Sequence, residues 1–187
     1  ALPDRRIEFI GNSITCGYGN DASALACGAG EWYDQHNAWL AYGPETARRL
    51  NAQWMLSSVS GIGMIHSCCD MTYEIADVYN NYTLSTGTYP WDFSKYTADV
   101  VTICLGQNDG IQDSTAFCTA YVQFIGTVRS NYPNAQIVCM SSPMADDNLL
   151  NAQKKYLTGV VDYLNGQGDA KVHKLYVTHK LNSGCDY

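Results

Sequence analysis

The C-terminal half of the chain alternates apolar runs with amphipathic helical patterns. Residues 99–105 form a continuous apolar run, which is typical of a strand covered on both faces. Residues 113–132 then carry apolar side chains at helical spacing, and the pattern repeats as a strand over 135–141, a helix over 149–164 and a strand over 171–177. Such alternation predicts right-handed βαβ units. We therefore predict an α/β fold, a three-layer α/β/α sandwich around a five-stranded, mostly parallel sheet.

The N-terminal half supplies two further predicted strands, over residues 6–11 and 53–60, with a helix ending at Leu50 between them. The segment 66–96 is long, aromatic and irregular, and such a segment in a compact domain is usually functional or contains small elements. A chain of this length buries a sizeable core, so we predict one domain over residues 1–187.

Charge and composition narrow the class of partner. The net charge of −7 argues against a nucleic acid and against an anionic membrane surface. No apolar run has the length of a transmembrane helix. The 14 tyrosines and four tryptophans are compatible with stacking on sugars, although the simpler interpretation is that most of these rings fill the core or its rim. A neutral partner therefore fits best.

The eight cysteines show no CxxC spacing, which argues against a structural zinc site. We expect Cys104 and Cys139, inside predicted strands, to be buried free thiols. Cys16 and Cys27 flank a glycine-rich loop with little apolar material, so we expect a disulfide between them. Such a bond implies an oxidising compartment, so we predict a secreted or periplasmic protein whose Ala1 is a mature or trimmed terminus.

One further group could suggest a metal, namely His66 with Cys68, Cys69 and Asp70. Adjacent cysteines cannot easily share a tetrahedral ion, so a loop histidine near thiols or a disulfide is the better interpretation. We predict no metal and no cofactor.

Small and amide-bearing residues follow three of the predicted strands, in segments 11–15, 57–61 and 105–109. The first of these contains Ser13 and the third contains Asn108. Because ligands bind outside the carboxyl ends of parallel strands, we expect the three segments to form one shared site.

The three segments carry a resemblance to a known family. Gly11-Asn12-Ser13-Ile14-Thr15 resembles the first block of the SGNH (GDSL-type) hydrolases, Gly61 the glycine of their second block, and Gly106-Gln107-Asn108-Asp109 their third block. Nearly the whole chain resembles the catalytic domain of carbohydrate esterase family two, which removes acetyl groups from plant cell-wall polysaccharides such as xylan and glucomannan. The resemblance implies a flavodoxin-like SGNH fold and an acetylated polysaccharide as partner.

The resemblance also implies a role for each residue of the site. Ser13 is expected to be the nucleophile that carries the acetyl group, activated by an adjacent base. The backbone N–H groups of Ser13 and Gly61 and the side-chain amide of Asn108 are expected to bind the oxyanion. Around the substrate we place Asp109, as an acceptor that holds the loop or the following helix, and Trp91, for which stacking on a sugar and simple loop packing are equally favoured.

The sequence departs from the family pattern in two ways. Asn12 replaces the usual aspartate, which is chiefly a hydrogen-bonding residue there, so we expect activity to survive. The family's Asp-x-x-His block is missing, because no aspartate stands three residues before any of the four histidines. The tail, residues 182–187, resembles the lead-in to that block, so we expect the catalytic histidine just beyond Tyr187. We assign Asp186 to the catalytic set, while a Ser-His dyad oriented by a backbone carbonyl remains an alternative.

The sequence thus predicts a serine esterase that deacetylates polysaccharides. One alternative is an SGNH esterase for lipids or aryl esters, which would have a more apolar cleft than these polar, tyrosine-rich loops provide. The other is a carbohydrate-binding relative that kept the scaffold and lost turnover.

Overall fold

The structure is a computed structural model that describes residues 2–178 and Cys185. Five strands form one sheet in which every neighbouring pair is parallel. In chain order the strands are β1 (Arg5–Gly11), β2 (Ala52–Ser58), the short hairpin pair β3 (Asn81–Thr83) and β4 (Thr88–Pro90) outside this sheet, β5 (Val100–Cys104), β6 (Gln136–Met140) and β7 (Val172–Leu175). The order across the sheet is β2-β1-β5-β6-β7.

Five α-helices accompany the strands in the described part of the chain. They are α1 (Ser13–Cys16), α2 (Tyr42–Arg49), α3 (Ile75–Val78), α4 (Ser114–Asn131) and α5 (Asp147–Gly166). The two long helices start at aspartate caps, since the side chain of Asp113 accepts from the amide of Ala116 and that of Asp146 from the amide of Leu149. None of the helices in the described ranges combines the length and apolar character needed to cross a bilayer.

Apolar clusters cover both faces of the sheet. Ile10, with Phe117 of α4 and Val160 of α5, belongs to the larger cluster. The preceding residue, Phe9, belongs to a second cluster with Ala47 of α2. Because successive side chains of a strand point to opposite faces, the two clusters lie on the two sides of the sheet. The predicted three-layer α/β/α sandwich is confirmed.

The topology fixes where a ligand can bind. The strand order changes direction between β1 and β5, and open sheets of this type bind ligands outside the carboxyl ends of the strands at such a point. Gly11 at the end of β1 pairs with Ser58 of β2 and with Cys104 of β5. The three loops that follow these strands therefore begin at the same level and meet at one edge.

The irregular segment 66–96 contains short helices and strands that its sequence did not predict. These are α3, the β3-β4 hairpin and a 3-10 turn at Phe93–Lys95. Strand β2 is also shorter than predicted, ending at Ser58 rather than residue 60. Elements of three or four residues are too short to produce a readable periodicity, so packing against the rest of the domain determines them.

The predicted disulfide between Cys16 and Cys27 is wrong. Cys27 is instead bonded to Cys185, 158 residues away, with a Cα–Cα distance of 5.2 Å. Cys16 is a free thiol at the end of α1, where its Sγ donates to Ser58 Oγ at 3.2 Å. Cys104 and Cys139 are buried free thiols, which confirms that prediction.

Candidate active site

Ser13 is the first residue of α1, directly after β1. The side chain of Asn12 caps this one-turn helix by accepting from the amide of Ile14 at 3.1 Å. Gly17 closes the other end in a left-handed conformation, with φ of 86°. Asn12 therefore provides the capping oxygen that an aspartate would provide, and the amide of Ser13 has no acceptor among the described residues.

Gly61 lies in the loop after β2 with φ of 89°, a left-handed conformation that favours glycine. A Cβ at this position would lie 3.0 Å from Cys68 Sγ. The carbonyl of Gly61 accepts from the amide of Cys68 at 2.8 Å, whereas no described residue accepts from the amide of Gly61. The peptide N–H of Gly61 is thus available to a ligand.

Asn108 lies in the loop after β5 and connects it to the loop after β2. Its Nδ2 donates to the carbonyl oxygen of Ile62 at 2.8 Å. An amide nitrogen carries two hydrogens, so this bond orients the side chain and leaves the second N–H for another acceptor.

Asp109 is only 3% exposed, and backbone amides surround its carboxylate. It accepts from the N–H groups of Met64, Ile65 and His66 at 2.7 to 3.0 Å. Asp109 does not line the cavity that contains Ser13. Its position favours the role of loop-holding acceptor over direct contact with a substrate.

Ser13, Gly61 and Asn108 line one cavity of about 450 Å³. Its remaining lining residues are Tyr18, Trp32, Ser60, Cys68, Cys69, Met71 and Met144, of which only Ser60 lies in a segment that the sequence placed at the site. A serine hydroxyl beside residues with N–H groups that can donate supplies a nucleophile and oxyanion donors for acyl transfer, which needs a base in addition. In the described part of the chain, no three metal-ligating side chains are grouped to hold an ion.

A hydrogen-bonded pair of His36 and Ser60, which the sequence did not predict, adjoins this site. His36 lines a neighbouring cavity of about 470 Å³, which shares Trp32 and Ser60 with the Ser13 cavity. Its Nδ1 is 3.2 Å from the carbonyl oxygen of Tyr33, and its Nε2 is 2.5 Å from Ser60 Oγ. A carbonyl only accepts, so Nδ1 carries the hydrogen and Nε2 of the neutral ring accepts from Ser60. His36 is therefore hydrogen-bonded to Ser60. The two residues are 24 positions apart, and no local sequence pattern connects them.

Cys16 lines the same neighbouring cavity as His36. Burial raises the pKa of its thiol above the ordinary value. The thiolate is the reactive form of cysteine, so Cys16 is a poor nucleophile at neutral pH.

Trp91 does not line the Ser13 cavity. It lines a third cavity, of about 190 Å³, together with Tyr79, Tyr82 and Phe93. Tyr82 and Leu84 are shared between this cavity and the His36 cavity. The three cavities therefore adjoin in series, with the Ser13 cavity at one end and the Trp91 cavity at the other. The remaining predicted site residue, Asp186, lies outside the described residues.

The chain is similar to known proteins over most of its length. The profile of the GDSL-like lipase/acylhydrolase family matches residues 9–172. Cellulase/esterase CelE of Acetivibrio thermocellus is 41% identical over 179 residues, covering 91% of this chain and 21% of that protein. An acetylxylan esterase / glucomannan deacetylase of Cellvibrio japonicus is 32% identical over 188 residues, covering 97% of this chain and 49% of that protein.

A solved structure of a family two carbohydrate esterase from Clostridium thermocellum, in complex with cellohexaose, superimposes with a TM-score of 0.89. It is 38% identical and covers 98% of this chain and 57% of that chain. This chain thus spans about half the length, or less, of the curated relatives described above. The profile match and the shared architecture show that the chain belongs to the GDSL-like lipase/acylhydrolase family and is similar to its family two carbohydrate esterases.

Proposed function

We propose that this protein is a serine esterase that removes O-acetyl groups from plant cell-wall polysaccharides such as xylan and glucomannan. The observation that supports this most directly is the single cavity lined by Ser13, Gly61 and Asn108. The names of two relatives, a cellulase/esterase and an acetylxylan esterase / glucomannan deacetylase, point to the same substrate class.

The proposed reaction has two steps through an acetyl-enzyme. Ser13 Oγ gives its proton to a general base and attacks the acetyl carbonyl, and the oxyanion accepts from the N–H groups of Ser13, Gly61 and Asn108. The tetrahedral intermediate then collapses, the sugar oxygen leaves with a proton from the base, and the acetyl group stays on Ser13. Water hydrolyses this ester in the second step and releases acetate.

The base in this proposal is the histidine of the family's C-terminal block, expected just beyond Tyr187. Asp186 or a backbone carbonyl would orient its ring. His36 is a weaker candidate, because both of its ring nitrogens already have partners in Tyr33 and Ser60. Residues 1–187 would accordingly belong to one catalytic domain.

The three adjoining cavities suit a polymer better than a small ester. Exposed aromatic rings stand along them, with Trp32 61% and Tyr82 69% exposed. Aromatic rings present the flat apolar surface on which sugar rings stack. The net charge of −7 suits a neutral polysaccharide.

We place the protein in an oxidising compartment, outside the cell or in the periplasm. Its two disulfides, Cys27–Cys185 and Cys68–Cys69, support this placement.

The test measures acetate released from acetylated xylan and glucomannan, and hydrolysis of 4-nitrophenyl acetate, by the full-length protein. Ser13→Ala should lower both activities at least about a thousandfold, because the acyl carrier is lost. His36→Ala tests the weaker base candidate and should retain most of the activity on 4-nitrophenyl acetate. Hydrolysis that survives in Ser13→Ala would contradict the nucleophile assignment. Saccharide binding without acetate release would instead indicate a binding protein, and a preference for long-chain 4-nitrophenyl esters a lipid esterase.

A further inference from the structure

Two adjacent cysteines, Cys68 and Cys69, are joined by a disulfide on the wall of the Ser13 cavity. The backbone around this bond is unusual, because Cys69 and the following Asp70 both have positive φ, 63° and 60°. Left-handed conformations at residues other than glycine are unfavourable and persist only where the surroundings enforce them. The disulfide closes a ring across the Cys68–Cys69 peptide and is therefore the covalent restraint at this turn.

This turn is packed directly against Gly61. The amide of Cys68 donates to the Gly61 carbonyl at 2.8 Å, and the amide of Met71 donates to the Cys68 carbonyl at 3.2 Å. On the face of Gly61 where a side chain would stand, Cys68 Sγ and Met71 Cε are the nearest atoms, 3.0 and 3.3 Å from an ideal Cβ position. The turn thus contacts Gly61 both through its carbonyl and through its Cα face.

The backbone between Gly61 and the cysteine pair is already held from another side. The carboxylate of Asp109 holds the amides of Met64, Ile65 and His66, which lie between Gly61 and the cysteine pair. The Gly61 amide donates no bond to Asp109, whereas the Gly61 carbonyl accepts from the amide of Cys68.

We propose that the Cys68–Cys69 disulfide is a positioning element for Gly61, which keeps the Gly61 amide aimed into the Ser13 cavity, and that reduction of this disulfide lowers turnover. This inference rests on the proposed esterase function. A dithiol reductant supplies two electrons and two protons, the S–S bond breaks, two S–H groups form, and the reductant becomes a disulfide. The backbone at Cys69 and Asp70 is then free to leave its left-handed conformation. Gly61 consequently loses the contacts with Cys68 that hold its orientation.

The test compares the full-length protein before and after treatment with dithiothreitol, which is removed by gel filtration before 4-nitrophenyl acetate is added. An oxyanion donor acts mainly in the transition state, so reduction should lower kcat about tenfold and leave KM within about twofold. Reoxidation should restore kcat. Alkylation and mass spectrometry of the peptide that contains both cysteines report its redox state.

The matched control is the double variant Cys68→Ala/Cys69→Ala, treated in the same way. Before reduction, this variant should already have the low kcat of the reduced wild type. Its kcat should not fall a further tenfold on treatment with dithiothreitol. Any change in kcat that the treatment still causes in the variant measures the contribution of the Cys27–Cys185 disulfide. The comparison of oxidised with reduced wild type does not depend on a substitution that could prevent folding. Circular dichroism checks that the oxidised and the reduced protein are both folded.

An unchanged kcat in protein whose two thiols are both alkylated would overturn this inference. So would free thiols at both positions in active, oxidised protein, or a rise in KM alone. These outcomes leave Ser13-dependent hydrolysis intact and are distinct from failure of the proposed function, in which the oxidised wild type releases no acetate.

Discussion

The two ends of the series of cavities are built in different ways. The Ser13 cavity is defined by backbone, since the loops after β1, β2 and β5 start at one level and Asn108 connects two of them. The Trp91 cavity is defined by aromatic side chains, among them Tyr82 and Trp91, whose ring centroids are 5.9 Å apart. Fixed N–H donors suit chemistry at one carbon, whereas rings suit contact with a sugar surface. Catalysis and substrate binding should therefore be separable by mutation.

The largest effect among the supporting residues is expected from Asn108→Ala. The substitution removes an oxyanion donor and the bond to Ile62, so kcat should fall about a hundredfold or more with little change in KM. The measurement is steady-state kinetics with 4-nitrophenyl acetate. Asn131→Ala, which removes a surface bond to Asn80, is the control and should leave kcat unchanged. A fall of less than threefold for Asn108→Ala would remove this side chain from the oxyanion site.

Asp109→Asn should affect both turnover and stability. The substitution removes the charge that three backbone amides share, which should lower the free energy of unfolding by about 1.5 to 3 kcal/mol. The loop beside Gly61 and Asn108 should loosen, so kcat should fall roughly tenfold. Urea denaturation and kinetics measure the two effects. Asp113→Asn keeps a good helix cap and should change neither. If Asp109→Asn raised KM alone, Asp109 would be a substrate contact after all.

Trp91→Ala tests the other end of the series. If Trp91 stacks on a sugar, KM for acetylated xylan should rise several-fold while kinetics with 4-nitrophenyl acetate stay unchanged, because the small ester does not reach this cavity. Trp39→Ala is the control, since Trp39 is exposed beneath the guanidinium of Arg48 and lines none of the three cavities. Unchanged KM values on both substrates would assign Trp91 to loop packing.

The smallest effect on activity is expected from Glu8→Gln. Glu8 is fully buried behind the Trp91 cavity and accepts from Ser57 Oγ and Tyr79 OH. Burial raises the pKa of its carboxyl above the ordinary value, although the bonds from Ser57 and Tyr79 oppose the shift. The folded state therefore holds this proton more tightly than the unfolded state does. Its stabilising contribution is complete below the unfolded pKa, about 4.3, and is lost as the pH rises through the folded pKa.

The glutamine of Glu8→Gln carries no charge at any of these pH values. The melting temperature of Glu8→Gln relative to wild type should consequently increase as the pH rises from about 4 to 8, while kcat at pH 7 stays within about twofold. A difference in melting temperature that does not change with pH would contradict the raised pKa.

The sheet and the meeting of the strand ends could be predicted from the sequence. Buried parallel strands are continuous apolar runs, and residues after such strands must share one edge, so Ser13 and Asn108 came together as expected. The Cys27–Cys185 bond and the contact of His36 with Ser60 could not be predicted. Each joins loop residues whose positions depend on the whole fold and which have no local periodicity.

The most direct test of the proposed active site is a crystal structure of the full-length protein after reaction with a small phosphonate ester, whose phosphorus imitates the tetrahedral carbon. We expect a covalent bond to Ser13 Oγ, with one phosphonyl oxygen about 2.7 to 3.1 Å from the backbone nitrogen of Gly61 and from Nδ2 of Asn108. An adduct on another residue, or a phosphonyl oxygen that contacts neither nitrogen, would contradict it.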